Sequence, residues 1–336
     1  MKKLYKLVFV VGNGFDMDLK LDTSYKSFIN SQSFMTYVQP DQVRALTQTA
    51  MQFQNTILSS RTHFLSFSHP INVFNVLKAK SSLENWYDIE RQLAIIAHNR
   101  INSIEAMKNG ERFLNLVPID ESSFHHLHDA LWHYLSNLPF DSIYRDSIAY
   151  KLFTILNKFP DLVQVKSFNY TDFNQIFSGT NQLTVDYIHG NLKEKSLIIG
   201  IQDDIEIHPG YNYMIKSFSE HFRSHSLIYD LEDADEVIFF GHSLGEVDYH
   251  YFRDFFQKQT AKSTVKRNLR LSIFTYDHKS RINLLQQLRN MNQKKTDMLF
   301  ALCDFQIFMT DKNCKDSHRI DMFLQDLDYR LTSCYM

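Results

Sequence analysis

Residues 163–177 read VQVKSFNYTDFNQIF and residues 184–192 read TVDYIHGNL. Each is a short β-rich run that ends on a polar residue, Asn169 in the first and His189 in the second. Neighbouring strands of a parallel sheet that stop on such residues deliver them into the crevice at their carboxyl ends, where open α/β sheets hold ligands. Asn169 and His189 are therefore the first candidate site residues. The competing assignment makes Asn169 a turn former and His189 a hydrogen-bonded core histidine.

Toward the amino terminus, Leu7 to Val11 (LVFVV) is a continuous apolar run of the kind expected of a strand buried on both faces. It breaks at Gly12-Asn13-Gly14-Phe15-Asp16. Strand, glycine turn and helix can cradle a phosphate, because glycines let backbone N–H groups approach an anion at a helix N-terminus. The residues equally fit a plain tight turn, since Met17 stands where a third glycine would complete the dinucleotide fingerprint. The carboxylate of Asp16 would repel a pyrophosphate or accept a ribose hydroxyl.

Toward the carboxyl terminus, residues 235–256 read DEVIFFGHSLGEVDYHYFRDFF, again strand, turn and helix. Gly241-His242-Ser243-Leu244-Gly245 matches G-x-S-x-G, the nucleophile elbow of α/β-hydrolases, for which Asp277 and His318 would complete a triad in chain order. Against this, Ser243 and Glu246 have the spacing of a capping box, which would occupy the hydroxyl with a backbone donor. Further strands are expected near Leu162–Phe168, Thr184–Ile188, Leu197–Ile201, Val237–Phe240 and Leu271–Tyr276, with another within Leu299–Met309. Helical stretches intervene, so the expected fold is α/β: one three-layer domain over residues 1–336 with a parallel sheet. Residues 45–160 are expected to be a helical insertion, with Trp86, Ile89, Leu93 and Ile96 on one apolar stripe and Phe124, Leu127, Leu131 and Leu135 on another.

With 336 residues, 44% hydrophobic and 22% charged content, and a net charge of −2, the chain reads as an ordinary globule with no general attraction for nucleic acid or an acidic membrane surface. Cys303, Cys314 and Cys334 offer no C-x-x-C spacing, so neither a disulfide framework nor a zinc module is expected. No run approaches the roughly 18 apolar residues of a membrane span, and the opening MKKLYKLVFVVG lacks a signal-peptide cleavage site; a cytoplasmic protein is expected. His221 and His225 have metal-binding i, i+4 spacing, but Phe222 stands where a zincin needs Glu, and no metal site is expected.

The motifs also carry a resemblance. GNGFD with Thr23-Ser24-Tyr25 and Phe28, NWYDIE over 85–90, SFNYTDFNQIF with VDYIHGNL, and IFFGHSLGEVDYHYF together resemble the AbiH family of bacterial abortive-infection proteins. The asparagine-tyrosine followed about twenty residues later by histidine-glycine is similar, more distantly, to the core of Sir2-like NAD-consuming proteins. The first resemblance implies defence against phage by disabling the infected cell, with a phage-derived trigger protein as partner. The second implies a Sir2-like or Rossmann-like fold, NAD as the nucleotide substrate, Asn169 ordering ribose or water, and His189 as general base. It places the nucleotide against Gly12, Asn13, Gly14, Phe15, Asp16, Tyr170, Gly241, His242, Ser243, Leu244 and Asp248, with Tyr25 and Trp86 as apolar walls. The chain lacks the zinc cysteines that build the sirtuin protein-substrate cleft, which leaves water as acceptor. A homo-oligomer is expected. Two other functions fit the residues: a serine hydrolase using Ser243, and a non-catalytic nucleotide sensor acting through a protein partner.

Overall fold

The computed structural model describes residues 5–56, 72–83, 89–108, 119–261 and 269–335. The chain divides into two compact units. The first comprises Met1–Asp22, Pro139–Glu194 and Arg223–Met336; the second comprises Thr23–Leu138 and Lys195–Phe222.

The first unit contains a six-stranded sheet made of β1 (Leu7–Val11), β2 (Val163–Ser167), β3 (Val185–Tyr187), β4 (Glu236–Phe240), β5 (Arg270–Thr275) and β6 (Asp304–Met309). All its pairings are parallel and the spatial order is β3-β2-β1-β4-β5-β6. This is the doubly wound order whose direction reverses between the strands flanking its centre, here β1 and β4. Because side chains alternate across a strand, each central strand feeds two cores. Val8 and Val10, Val237 and Phe239, and Leu271 and Ile273 share one core with Leu227, Phe252, Phe256, Leu284 and Leu288 from the helices Leu227–Asp233, Tyr249–Gln259 and His278–Met291. On the other face the ring of Phe15 packs edge-on against Phe9 and Phe240 and stacks on Phe173, while Phe274 meets Phe323 of the helix Ser317–Tyr335. All five residues of β1 are fully buried, which is why this strand carries no polar position. Among the buried charged residues of the inner strands is Glu236, 0% exposed at the start of β4. Its carboxylate accepts from Arg330 at 2.8 and 2.9 Å and from the Tyr5 hydroxyl.

The second unit contains helices, with Phe124, Leu127, Leu131 and Leu135 buried along the helix Glu121–Ser136, and Ile89 and Leu93 along Ile89–Lys108. The unit begins at Thr23, ends its first stretch at Leu138 and adds Lys195–Phe222, so its limits differ from the expected 45–160. The helix Ile148–Leu156 belongs to the first unit. Leu197–Ile201 is not a strand. Its only ladder element is an isolated bridge between Ile201 and Ile215, and Leu197, Ile198 and Ile199 are buried in irregular backbone. A short apolar run reports burial, not period, so sequence alone could not separate the two outcomes. Likewise the stretch 299–309 splits into the end of a helix, Thr296–Leu302, and β6.

Candidate functional site

The carboxyl ends of β1 to β4 converge. The parallel ladder runs one step past the strands, with Gly12 N–H donating to Phe240 O at 3.0 Å, Phe168 N–H to Val11 O at 2.9 Å, and Ile188 N–H to Ser167 O at 2.9 Å. The two glycine turns then interlock. Gly14 N–H donates to Gly241 O at 2.9 Å; a Cβ on Gly12 would stand 2.5 Å from His242 Cα, and one on Gly241 2.4 Å from the Gly14 backbone. Gly241 also has φ +64°, so it is glycine for both conformation and approach. The glycines thus bring two turns into backbone contact. The Gly12 and Gly14 amides bond within this junction, and Phe15 N–H closes back on Gly12 O at 2.9 Å.

The turn after β2 is fastened to the turn after β1 at two points. The Asn169 side-chain amide donates to Gly12 O at 3.1 Å, and Thr171 Oγ1 donates to Asp16 Oδ2 at 2.9 Å, all in buried surroundings. Asn169 itself is held by Ser167, whose hydroxyl donates to Asn169 O and accepts from Asn169 N–H, both at 3.2 Å. Next to it lie two histidines and one carboxylate. His189 Nε2 is 3.6 Å from Asp248 Oδ1, and His242 Nε2 is 3.5 Å from Asp248 Oδ2. The ring of Phe168 lies edge-on to both imidazoles, with centroids at 5.3 and 4.5 Å. His242 Nδ1 accepts from Leu244 N–H at 3.0 Å, so in the neutral ring the proton sits on Nε2, facing Asp248. Burial holds the His242 imidazole below its ordinary value, while the Asp248 charge pulls the other way.

On the other side of the glycine junction, at the ends of β4, β5 and β6, a pocket of ≈ 470 Å³ is lined by Gly14, Gly241, Ser243, Tyr276, Asn283 and Thr310, among others. A family model described as bacteriophage abortive infection AbiH matches residues 8–268, more than half of the chain and all four motifs. The chain belongs to the AbiH family. No curated protein and no solved structure matches it.

In this AbiH chain the expected site residues fall into distinct groups. Gly12, Gly14, Asn169, His189, Gly241, His242 and Asp248 gather at the four strand ends as described. Tyr170 lies beside them, its carbonyl accepting from Leu192 N–H at 2.8 Å, and Asn13 is exposed. Phe15 and Leu244, each 0% exposed, belong to the core, and Asp16 is 1% exposed with Oδ2 engaged by Thr171; none of the three presents a ligand surface. Tyr25 opens the helix Tyr25–Ile29 of the second unit, while Trp86 and Asp88 lie outside the described residues. Glu90, in the same sequence motif, forms a buried ion pair with Lys216 at 2.8 Å.

Two expectations for Ser243 are corrected. The helix begins at Tyr249 after a 3-10 turn Glu246–Asp248, with Asp248 at its N-cap and Gly245 at that of the turn, so Ser243 does not cap it. Nor does it occupy a nucleophile elbow. The positive-φ positions of this turn are Gly241 and Leu244, while Asp277 spends its Oδ1 on the N–H and hydroxyl of Ser280 as a helix cap. Ser167, Phe168 and Thr171 have turn and packing roles that the sequence does not reveal without their partners. Tyr276 and Thr310 had a usable signal, each standing immediately after a strand.

Among the described residues no helix is long and apolar enough to cross a membrane.

Proposed function

We propose that this AbiH protein disables phage-infected cells by hydrolysing the nicotinamide–ribose bond of NAD. The observation that carries the reading is the placement of Asn169 and His189 at the ends of the adjacent strands β2 and β3, with Asp248 facing His189, at the ligand-holding edge of a doubly wound sheet. The C1′–N bond breaks with its electron pair leaving on nicotinamide, an oxocarbenium-like centre develops at C1′, and a water oxygen forms the new bond. The water gives its proton to His189, an imidazole, the side chain most often used as a general base. Asn169, already tied to Gly12 through its amide nitrogen, has an oxygen to orient a ribose hydroxyl or the water. The pocket beside Gly14 and Gly241 lies within the ~300–1,000 Å³ range of small-ligand sites, and Asn283, Ser280 and Thr310 offer it polar groups for the nucleoside half. A phage-derived trigger, a homo-oligomeric state and a cytoplasmic location complete the proposal.

The test is release of free nicotinamide from NAD by purified protein, with phage protection of cells measured in parallel. Wild type should release nicotinamide, and His189→Ala should lower the rate roughly 10²- to 10⁴-fold and remove protection. Protection that persists in His189→Ala, or nucleotide binding with no nicotinamide release from wild type activated by phage infection, overturns the hydrolase and favours a nucleotide sensor.

A further inference from the structure

We propose that Asp248 is a positioning residue, and that the chain Leu244 N–H, His242, Asp248, His189 fixes which nitrogen of His189 carries the proton. The argument starts from the backbone. Leu244 adopts φ +50°, uncommon for a residue with a branched side chain, and it does so with that side chain fully buried. That conformation accompanies the placement of Leu244 N–H 3.0 Å from His242 Nδ1. A ring nitrogen that accepts a hydrogen bond has no proton, so neutral His242 bears its proton on Nε2, the atom 3.5 Å from Asp248 Oδ2. One carboxylate oxygen thereby faces a donor, at a distance longer than a formed hydrogen bond. The second, Oδ1, lies 3.6 Å from His189 Nε2 and favours a proton there, which leaves the lone pair on His189 Nδ1. These contacts are longer than the ~2.7–3.2 Å of a tight bond, and contacts of this kind commonly shorten when a substrate binds. The Phe168 ring, edge-on to both imidazoles, restricts their rotation.

The arrangement sets the residue types apart by role. His189 acts on the proton; Asp248 holds its tautomer as the acid of a catalytic triad does; His242 is a neutral donor that keeps the carboxylate oriented. Asp248 is thus assigned to the base and not to the nucleotide. The use of His189 as a base rests on the NAD reading, whereas the tautomer arrangement does not.

Nitrogen-15 spectra of histidine-labelled full-length protein test it, because the two tautomers of a neutral imidazole have interchanged ring-nitrogen shifts. Above pH 7.5, wild type should show Nε2–H for both His242 and His189. Asp248→Asn, isosteric and able to donate to His189, should move the His189 proton to Nδ1 and slow nicotinamide release about 10²-fold or more, while Asp248→Glu should restore Nε2–H in part. A shifted tautomer combined with no NAD cleavage by wild type leaves the positioning role intact and removes the NAD reading. Nδ1–H at His189 in wild type, a result needing no variant, or an unchanged tautomer in folded Asp248→Asn, overturns the proposal.

Discussion

The Asn169 side-chain amide donates to the carbonyl oxygen of Gly12 at 3.1 Å, joining residues 157 positions apart at the ends of two adjacent strands. The bond couples the residue that would orient substrate to the interlocked glycine turns. Asn169→Asp cannot donate to that carbonyl and would bring a carboxylate against it. Folding stability in urea should fall by about 1–3 kcal/mol, and nucleotide affinity should fall with it. Unchanged stability would mean that the bond is not formed in solution.

Gly241→Ala combines a left-handed backbone with a Cβ 2.4 Å from Gly14, where the opposing atoms are backbone and cannot swing away. The left-handed cost and the overpacking cost add to roughly 2–5 kcal/mol. A thermal melt close to that of wild type would contradict the interlocked turns.

Ser243 is exposed and caps no helix, so Ser243→Ala should change unfolding free energy by less than ~0.5 kcal/mol. The protein should also resist labelling by a fluorophosphonate. A covalent adduct at Ser243 would revive the serine-hydrolase assignment.

Stability should decline on the acid side of neutrality. Burial depresses the imidazoles of His242 and, in the second unit, His128, so below pH ~6.5 the unfolded chain binds protons that the folded chain does not. Their contribution is therefore fully present above the unfolded pKa and is lost as pH falls toward the depressed folded values, by at most about 1.4 kcal/mol per pH unit for each group. In His242→Asn, whose side-chain oxygen can still accept from Leu244 N–H, urea midpoints measured between pH 7 and 5 should fall less steeply than in wild type.

Glu90 and Lys216 form an ion pair with both side chains buried, and removing one partner leaves the other charge in a poor solvent. Glu90→Ala should cost about 3–5 kcal/mol, and the double substitution Glu90→Leu with Lys216→Met should recover most of the loss. Additive losses in a double-mutant cycle would show that the two charges do not interact.

Local pattern alone determined most of the sheet. LVFVV, VQVKS and EVIFF announce buried strands through unbroken or β-branched composition, and the glycines and polar residues that stop them mark where the crevice lies. Such patterns are legible because strand formation and strand ending depend on neighbours in sequence. The four motifs likewise sufficed for the AbiH family, which the match over residues 8–268 bears out. What needed the tertiary structure was every assignment that depends on a partner far along the chain. Gly12 and Gly14 read as a phosphate cradle until Gly241 is brought against them, and Phe15 and Leu244 read as ligand contacts until they are seen in the core. Glu90 gains its partner only when Lys216, 126 residues away, is brought to it. Asp248 gains a role only when β3 and β4 deliver two histidines to its two oxygens, because a hydrogen-bond network is set by distances in space that no spacing in the chain encodes.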